Sequence, residues 1–147
     1  MEKILDTRTI DQIKQAFVQL KEPVQILFFG TEDNCAYCGE IRQLLEEVTE
    51  LNDKLGLEIH DLQAGAALAA QYNVDKAPCI VVTAKDGEKL TNLGIQFAGV
   101  PSGYEFSTFI NDLLLASNRD SGLSQKTREF LQKLEKPLHL QIFVTPT

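Results

Sequence analysis

Residues 24–48 read VQILFFGTEDNCAYCGEIRQLLEEV, and this stretch decides the fold. It opens with a short apolar run, rich in Phe and Ile, that ends at Gly30 and predicts a buried strand. Beyond a polar loop, apolar residues recur at helical spacing over residues 41–55 and predict an amphipathic helix. Two cysteines, Cys35 and Cys38, therefore lie between a predicted strand and a predicted helix.

The cysteine pair has three interpretations from the residues alone: a redox centre, half of a zinc site, or two ordinary small residues. A helix N-terminus stabilises an anion, so Cys35 is predicted there as a thiolate that attacks disulfides near neutral pH. Cys38 is predicted one turn further into the helix, on its buried side, where it can attack a mixed disulfide formed at Cys35. Structural zinc usually needs two close pairs of Cys or His ligands. The other candidates form no second pair, so no metal site is predicted; they are Cys79, His60 and His139.

The rest of the chain supplies the other helices and strands of one α/β sheet. Thr9 and Gln12 have the form of a capping box for a helix over residues 9–20, and Gly56 is the predicted cap of the helix after the cysteines. Strands linked through helices are predicted to be parallel, and the pair joined by the turn at Asp86–Gly87 antiparallel. The result is a central mixed sheet flanked by helices on both faces. The other predicted strands are 57–62, 79–82 and 91–99, and the other predicted helices are 64–74 and 102–116.

Composition narrows the classes of protein. A chain of 147 residues suits one domain with a full core. The net charge of -7 argues against binding to nucleic acids or to anionic membranes, because both need a basic face. The sequence shows neither a signal peptide nor an apolar run of membrane-spanning length, and it predicts a cytoplasmic protein. In a reducing compartment, a close cysteine pair is more often catalytic or metal-binding than structural.

Pro78 marks a second candidate element of the site. It opens a predicted strand of the same sheet, and an X–Pro bond in that place is a candidate for the cis isomer. The backbone groups of Ala77 would then lie beside the cysteines, where an extended peptide could pair with them as an added strand. The alternative is a proline that simply begins a strand.

The C-terminal stretch repeats the opening of the chain. Residues 124–147 align with the beginning at one offset, so that a helix, a breaking proline and a strand recur in that order. The alternative is that any helix, proline and strand look alike over so short a length. The matched pairs are Pro137 with Pro23, Phe143 with Phe29, Thr145 with Thr31, Leu131 with Phe17 and Leu134 with Leu20.

The motifs together resemble a known family. CAYC at a helix start, APC before a strand, and the hairpin VVTAKDGEKLTNLGIQFAG stand in the order of the thioredoxin fold. Tyr37 gives the dipeptide between the cysteines a glutaredoxin-like form. Residues 99–114 and the repeat after them resemble the protein disulfide oxidoreductases of thermophilic archaea and bacteria, which are two thioredoxin-like units in tandem. The resemblance implies a thioredoxin-like unit over residues 1–120 and the first helix and strand of a second unit over 121–147.

The resemblance also implies roles for single residues. Cys35 would be the attacking cysteine and Cys38 the resolving one, with Pro78 as the cis-proline. Substrate binding would fall to Ala36, Tyr37, Ala77 and Pro78. The implied partners are protein disulfide substrates and a thioredoxin-reductase-like protein or a dithiol as reductant, with no cofactor.

Three departures from the family pattern are visible. The sequence given contains no second CxxC, and Phe29 stands where thioredoxins have a buried acid six residues before the first cysteine. Proton transfer to Cys38 then needs another group or water, for which Glu32 and Asp33 are weak candidates. Cys79 follows the proline where thioredoxins often have Thr. It is either a small buried residue or a third thiol that could trap Cys35 in another disulfide.

A function of another class is also open. In this alternative the unit is an interaction module, whose C-terminal helix and strand dock on a partner or swap between two chains of a homodimer. The apolar stretch LHLQIFV at residues 138–144 would otherwise expose a strand edge.

Overall fold

The computed structural model describes residues 3–145. The predicted order of eight elements is confirmed, and a ninth element follows them. Their bounds are α1 Thr7–Phe17, β1 Val24–Gly30, α2 Cys38–Thr49, β2 Leu55–Asp61, α3 Ala66–Gln71, β3 Cys79–Asp86, β4 Lys89–Ala98, α4 Tyr104–Asn118 and α5 Gln125–Gln132.

The four strands form one mixed sheet in the order β2-β1-β3-β4. β1 is parallel to β2, and β3 and β4 form the predicted antiparallel hairpin. The prediction of parallel strands was wrong for β3, which runs antiparallel to β1. The reason is length, because the six residues of α3 rise only about 9 Å while a seven-residue strand spans about 23 Å. The chain therefore enters β3 at the edge of the sheet where β1 and β2 end.

Strand β1 divides the core between the two faces of the sheet. All seven of its residues are buried. Val24, Ile26 and Phe28 pack with α1, α2 and α4 in the larger hydrophobic cluster. Leu27 and Phe29 point the other way and pack with residues of α3 and β3. This alternation decides which side chains can approach the cysteine pair.

Two predicted helix ends were misplaced. The N-cap of α1 is Asp6, whose carboxylate accepts a hydrogen bond from Thr9 N at 2.8 Å, so the helix begins before the predicted capping box. Helix α2 ends at Thr49, and Gly56 lies inside β2. A Cβ at Gly56 would lie 2.3 Å from the end of the Gln25 side chain, so this glycine leaves room for that side chain and does not cap a helix.

The C-terminal region lies outside this core. Helix α5 forms as predicted, with Ser124 as its N-cap, but it buries no residue. Residues 138–144 are exposed and pair with no strand within the described range 3–145. Among these described residues, no helix is both long and apolar enough to cross a membrane.

Candidate active site

The two cysteines of the CxxC motif form a disulfide in the structure. Cys35 and Cys38 are bonded, with their Cα atoms 5.4 Å apart. Cys35 was predicted at the helix N-terminus and Cys38 one turn further in. Both placements were wrong, because α2 begins at Cys38 and Cys35 lies in the turn before it. Asn34, with a φ of 59°, turns the chain just ahead of the pair, and Cys38 N donates a long hydrogen bond to Cys35 O at 3.4 Å.

Cys38 sits against the core at the carboxyl end of β1. Its side chain is half-buried and packs against the larger hydrophobic cluster. A Cβ placed on Gly30 would lie 3.3 Å from Cys38 Sγ and 3.1 Å from the ring of Phe28. Gly30 therefore leaves the space that the resolving sulfur occupies, a requirement that the apolar pattern of the strand did not reveal.

The sheet lies between Cys79, the third cysteine, and Cys38. Phe28 points to the side of Cys38, whereas Phe29 and Cys79 pack together in the smaller cluster on the opposite face. Cys79 is 2% exposed, and burial raises the pKa of its thiol. This environment fits the interpretation of Cys79 as a small buried residue. Strand alternation places Phe28, and not Phe29, on the face of the sheet where Cys38 packs.

The proline loop reaches the same edge of the sheet. The Ala77–Pro78 peptide bond is cis, the isomer that the resemblance implied, and both residues are half-buried. Pro78 O accepts a hydrogen bond from Gly99 N at 3.0 Å, which ties the loop to the end of β4. The next residue, Cys79, pairs in register with Phe29 near the end of β1. The loop and the cysteine pair therefore share the carboxyl end of β1.

The residues between and around the cysteines are exposed. Ala36 and Tyr37 both face solvent, and the Tyr37 side chain is 57% exposed. Glu32 and Asp33, the weak candidates for proton transfer, are exposed as well, and Asp33 N donates to Thr31 Oγ1 at 3.0 Å in the loop. The pair is thus open to a large substrate on its loop side.

A groove of about 270 Å³ borders Cys38 beside the ends of β1 and β2. Its polar lining includes Glu32, Arg42 and Asp61. Asp61 was missed in the sequence reasoning. Its only signal there was its place at the end of a strand parallel to β1, which brings it to the edge that holds the cysteines.

His60 of strand β2 has a packing role. The ring of His60 stacks on Phe29 with centroids 5.4 Å apart, and its Nε2 lies 3.1 Å from a carboxylate oxygen of Glu58. Over residues 3–145, no group of three or more His, Cys, Asp or Glu side chains is arranged to hold a metal ion.

The comparisons with known proteins point to one fold. The protein disulfide oxidoreductase of Aeropyrum pernix K1 superposes with a TM-score of 0.75 at 19% identity, over 90% of this chain and 57% of that one. The N-terminal domain of the alkyl hydroperoxide reductase AhpF from Enterococcus faecalis superposes with a TM-score of 0.78 at 23% identity, over 90% of this chain and 62% of that one. The chain has the thioredoxin fold.

Sequence relatives are considerably longer proteins. The alkyl hydroperoxide reductase AhpF of Escherichia coli K12 is 27% identical over 141 residues, and that of Staphylococcus aureus NCTC 8325 is 26% identical over 137. The chain covers 95% and 92% of its own length in these matches but only 24% and 23% of the relatives. It therefore spans about a quarter of these curated relatives. No protein-family model matches the chain. The bonded pair at CxxC spacing, within this fold, supports thiol–disulfide exchange.

Proposed function

We propose that this unit is a protein disulfide oxidoreductase that reduces, forms or exchanges protein disulfides through Cys35 and Cys38. The observation that carries the proposal is the Cys35–Cys38 disulfide at the carboxyl end of β1, with an exposed loop on one side and the Pro78 loop at the same edge. A disulfide that served stability alone would need neither an exposed loop beside it nor the Pro78 loop at the same edge.

The reaction is a pair of thiol–disulfide exchanges. In the reductive direction, the Cys35 thiolate attacks one sulfur of a substrate disulfide and releases the other as a thiolate. Cys38 then attacks Cys35 Sγ, closes the internal disulfide and releases the second substrate thiolate. An external dithiol or a reductase with a reactive dithiol restores the reduced pair, so two electrons pass from this donor to the substrate.

Substrate binding falls to the surface around the pair. Ala36 and Tyr37 are exposed between the cysteines, and Ala77 and Pro78 lie at the same edge of the sheet. A peptide segment around the substrate disulfide would pair with the Ala77 backbone as an added strand and cover Tyr37. Since backbone groups make these contacts, the site would accept many protein sequences.

The direct test is reduction of insulin disulfides by dithiothreitol. Cys35→Ser should lose the catalysed rate, because the thiolate that attacks the substrate disulfide is gone. Cys38→Ser should accumulate a mixed disulfide with the substrate, detectable by mass, because the intermediate cannot be resolved. Cys79→Ser is the matched control and should keep wild-type activity, since Cys79 lies on the other face of the sheet. Full activity in Cys35→Ser would refute the proposal.

A specific observation favours a docking role beside catalysis. Large apolar side chains of the C-terminal region are exposed, and the segment at 138–144 has unpaired backbone groups. We propose that residues 121–147 form the first helix and strand of a second unit, or dock on a partner or a second chain. The mass of the purified protein in solution tests this. Ile142→Lys should abolish any dimer, and a monomeric wild type would exclude the second chain. The exposed apolar side chains are those of Phe130, Leu131, Leu134, Leu138, Leu140, Ile142, Phe143 and Val144.

A further inference from the structure

The groove on the Cys38 side holds a carboxylate that the exchange steps above do not use. Cys38 must lose a proton before it attacks Cys35 Sγ, and the acid that thioredoxins bury near this point is replaced by apolar residues here. The residues of β1 on the face where Cys38 packs are Phe28 and Gly30. Neither can accept a proton, so the acceptor has to come from the lining of the groove or from bulk water.

Asp61 is placed next to the gap at Gly30. The two residues pair in register at the ends of parallel strands β1 and β2. Partners in register project from the same face of a sheet, and the face of Gly30 is the one occupied by Cys38 Sγ. Asp61 is half-buried and lines the same groove as Cys38.

The carboxylate of Asp61 is held in one orientation. Its Oδ1 accepts hydrogen bonds from Gln63 N at 2.9 Å and from Ala64 N at 2.8 Å. The backbone of the turn is fixed in the same place, since Leu62 N donates to Gly30 O at 2.8 Å. A carboxylate has about four lone-pair sites, so these two bonds leave capacity for a water molecule.

We propose that Asp61 accepts the proton of the Cys38 thiol through water in the groove, and returns it when the disulfide is reduced again. The inference rests on the proposed function. In the resolving step the Cys38 S–H bond breaks and the proton passes to Asp61. Cys38 Sγ then bonds to Cys35 Sγ, and the substrate sulfur leaves as a thiolate. That thiolate or solvent takes the proton from Asp61, so charge and electrons balance.

Other charged groups line the groove beside Asp61. Arg42 of α2 is one of them, and its Nε donates to Glu46 Oε1 at 2.8 Å. Glu32 in the loop also lines it, and its carboxylate is the alternative proton acceptor that the variants below test. On β2 itself, His60 lies two residues after Glu58, and its Nε2 is 3.1 Å from a carboxylate oxygen of Glu58. The turn after Asp61, residues 62–65, carries no charged side chain.

The test separates the two sulfur attacks in one trace. Reduced protein is mixed with 5,5′-dithiobis(2-nitrobenzoic acid), and the first thionitrobenzoate released reports attack by Cys35 while the second reports resolution by Cys38. In wild type the second phase should depend only weakly on pH between about pH 6 and 8. In Asp61→Asn it should slow on the order of 10-fold to 100-fold at pH 6 and rise about tenfold per pH unit. The first phase should not change.

Matched variants identify the carboxylate as the cause. Asn keeps an oxygen for the Gln63 and Ala64 amides, so Asp61→Asn preserves the turn. Asp61→Glu disturbs those bonds but keeps the proton acceptor, and should retain the weak pH dependence. Glu32→Gln and Asp33→Asn remove the same charge nearby and should leave the second phase as in wild type.

The contrary results are equally distinct. A wild-type pH profile in Asp61→Asn, a steep one in Asp61→Glu, or a slowed second phase in Glu32→Gln or Asp33→Asn would each overturn the role of Asp61. Failure of the proposed function would look different, because wild type itself would then show no second phase and no insulin reduction.

Discussion

Two stretches of this chain share a sequence pattern and differ completely in environment. β1 and residues 138–144 each follow a helix and a proline, and they align at one offset. Every residue of β1 is buried between β2 and β3. At the aligned positions of the second stretch, Ile142 is 85% exposed and Phe143 is 89% exposed.

The difference shows that β1 forms a strand because β2 and β3 lie beside it, and not because of its apolar pattern alone. β1 is bonded on one edge by β2 and on the other by β3, so its backbone groups are satisfied within the sheet. The later stretch has no such neighbours among residues 3–145 and forms no strand there. The candidate site depends on the buried copy, because Phe28 and Gly30 of β1 shape the space around Cys38.

Truncation of two aligned side chains, Phe28 and Ile142, gives the strongest test of this difference. Phe28→Ala should lower the free energy of unfolding by about 3–5 kcal/mol, because a ring that is 2% exposed leaves a cavity in the core. Ile142→Ala should change it by less than about 0.5 kcal/mol, since its side chain already faces solvent. Denaturant unfolding of the oxidised proteins measures both, and equal losses would show that the second stretch is packed in solution.

A smaller change probes the space beside Cys38. Gly30→Ala should cost about 1–3 kcal/mol, because the new Cβ would press on the ring of Phe28 and on Cys38 Sγ. Resolution by Cys38 should also slow relative to attack by Cys35, measured as two phases of thionitrobenzoate release. The aligned Val144→Ala is the control and should alter neither quantity. An unchanged second phase in Gly30→Ala would mean that the sulfur does not need this space.

Much of the fold was predictable because its elements have strong local signals. The apolar run of β1, the helical spacing after the cysteines and the turn at Asp86–Gly87 each fixed one element and its type. The direction of β3 was not predictable from these signals. It follows from the short α3, whose six residues are fewer than the eleven residues of predicted helix.

The candidate site was predictable only in part. Cys35 and Cys38 can be recognised in the sequence by their spacing, and Pro78 by its place before a strand. Gly30 and Asp61 carry no motif, and their importance arises from the pairing of β1 with β2. Which of Phe28 and Phe29 faces Cys38 also depends on strand alternation, which a fully apolar run conceals.

The helices that precede the two stretches offer a milder contrast. Asp6 caps α1 and Ser124 caps α5, each by accepting a hydrogen bond from a threonine amide three residues later. Asp6→Ala should lower the free energy of global unfolding, because the cap bond is lost from a helix that packs into the core. Ser124→Ala should leave global unfolding unchanged and only speed hydrogen exchange at the Thr127 amide. A global loss in Ser124→Ala would show that α5 is coupled to the core.

The smallest effect is the response of these two caps to pH. The backbone hydrogen bond from Thr9 holds the pKa of Asp6 below its ordinary value. A lowered pKa in the folded state means that the stabilisation by ionised Asp6 is present above the unfolded pKa and is lost as pH falls through the folded one. The stability difference between wild type and Asp6→Asn should therefore change on acidification below about pH 4, as measured by thermal unfolding. Ser124 has no ionisable group in this range. Hydrogen exchange at the Thr127 amide is first corrected for its intrinsic pH dependence. The difference in this exchange between wild type and Ser124→Ala should then stay constant with pH. A pH-independent Asp6→Asn difference would mean that the pKa of Asp6 is the same in the folded and the unfolded state.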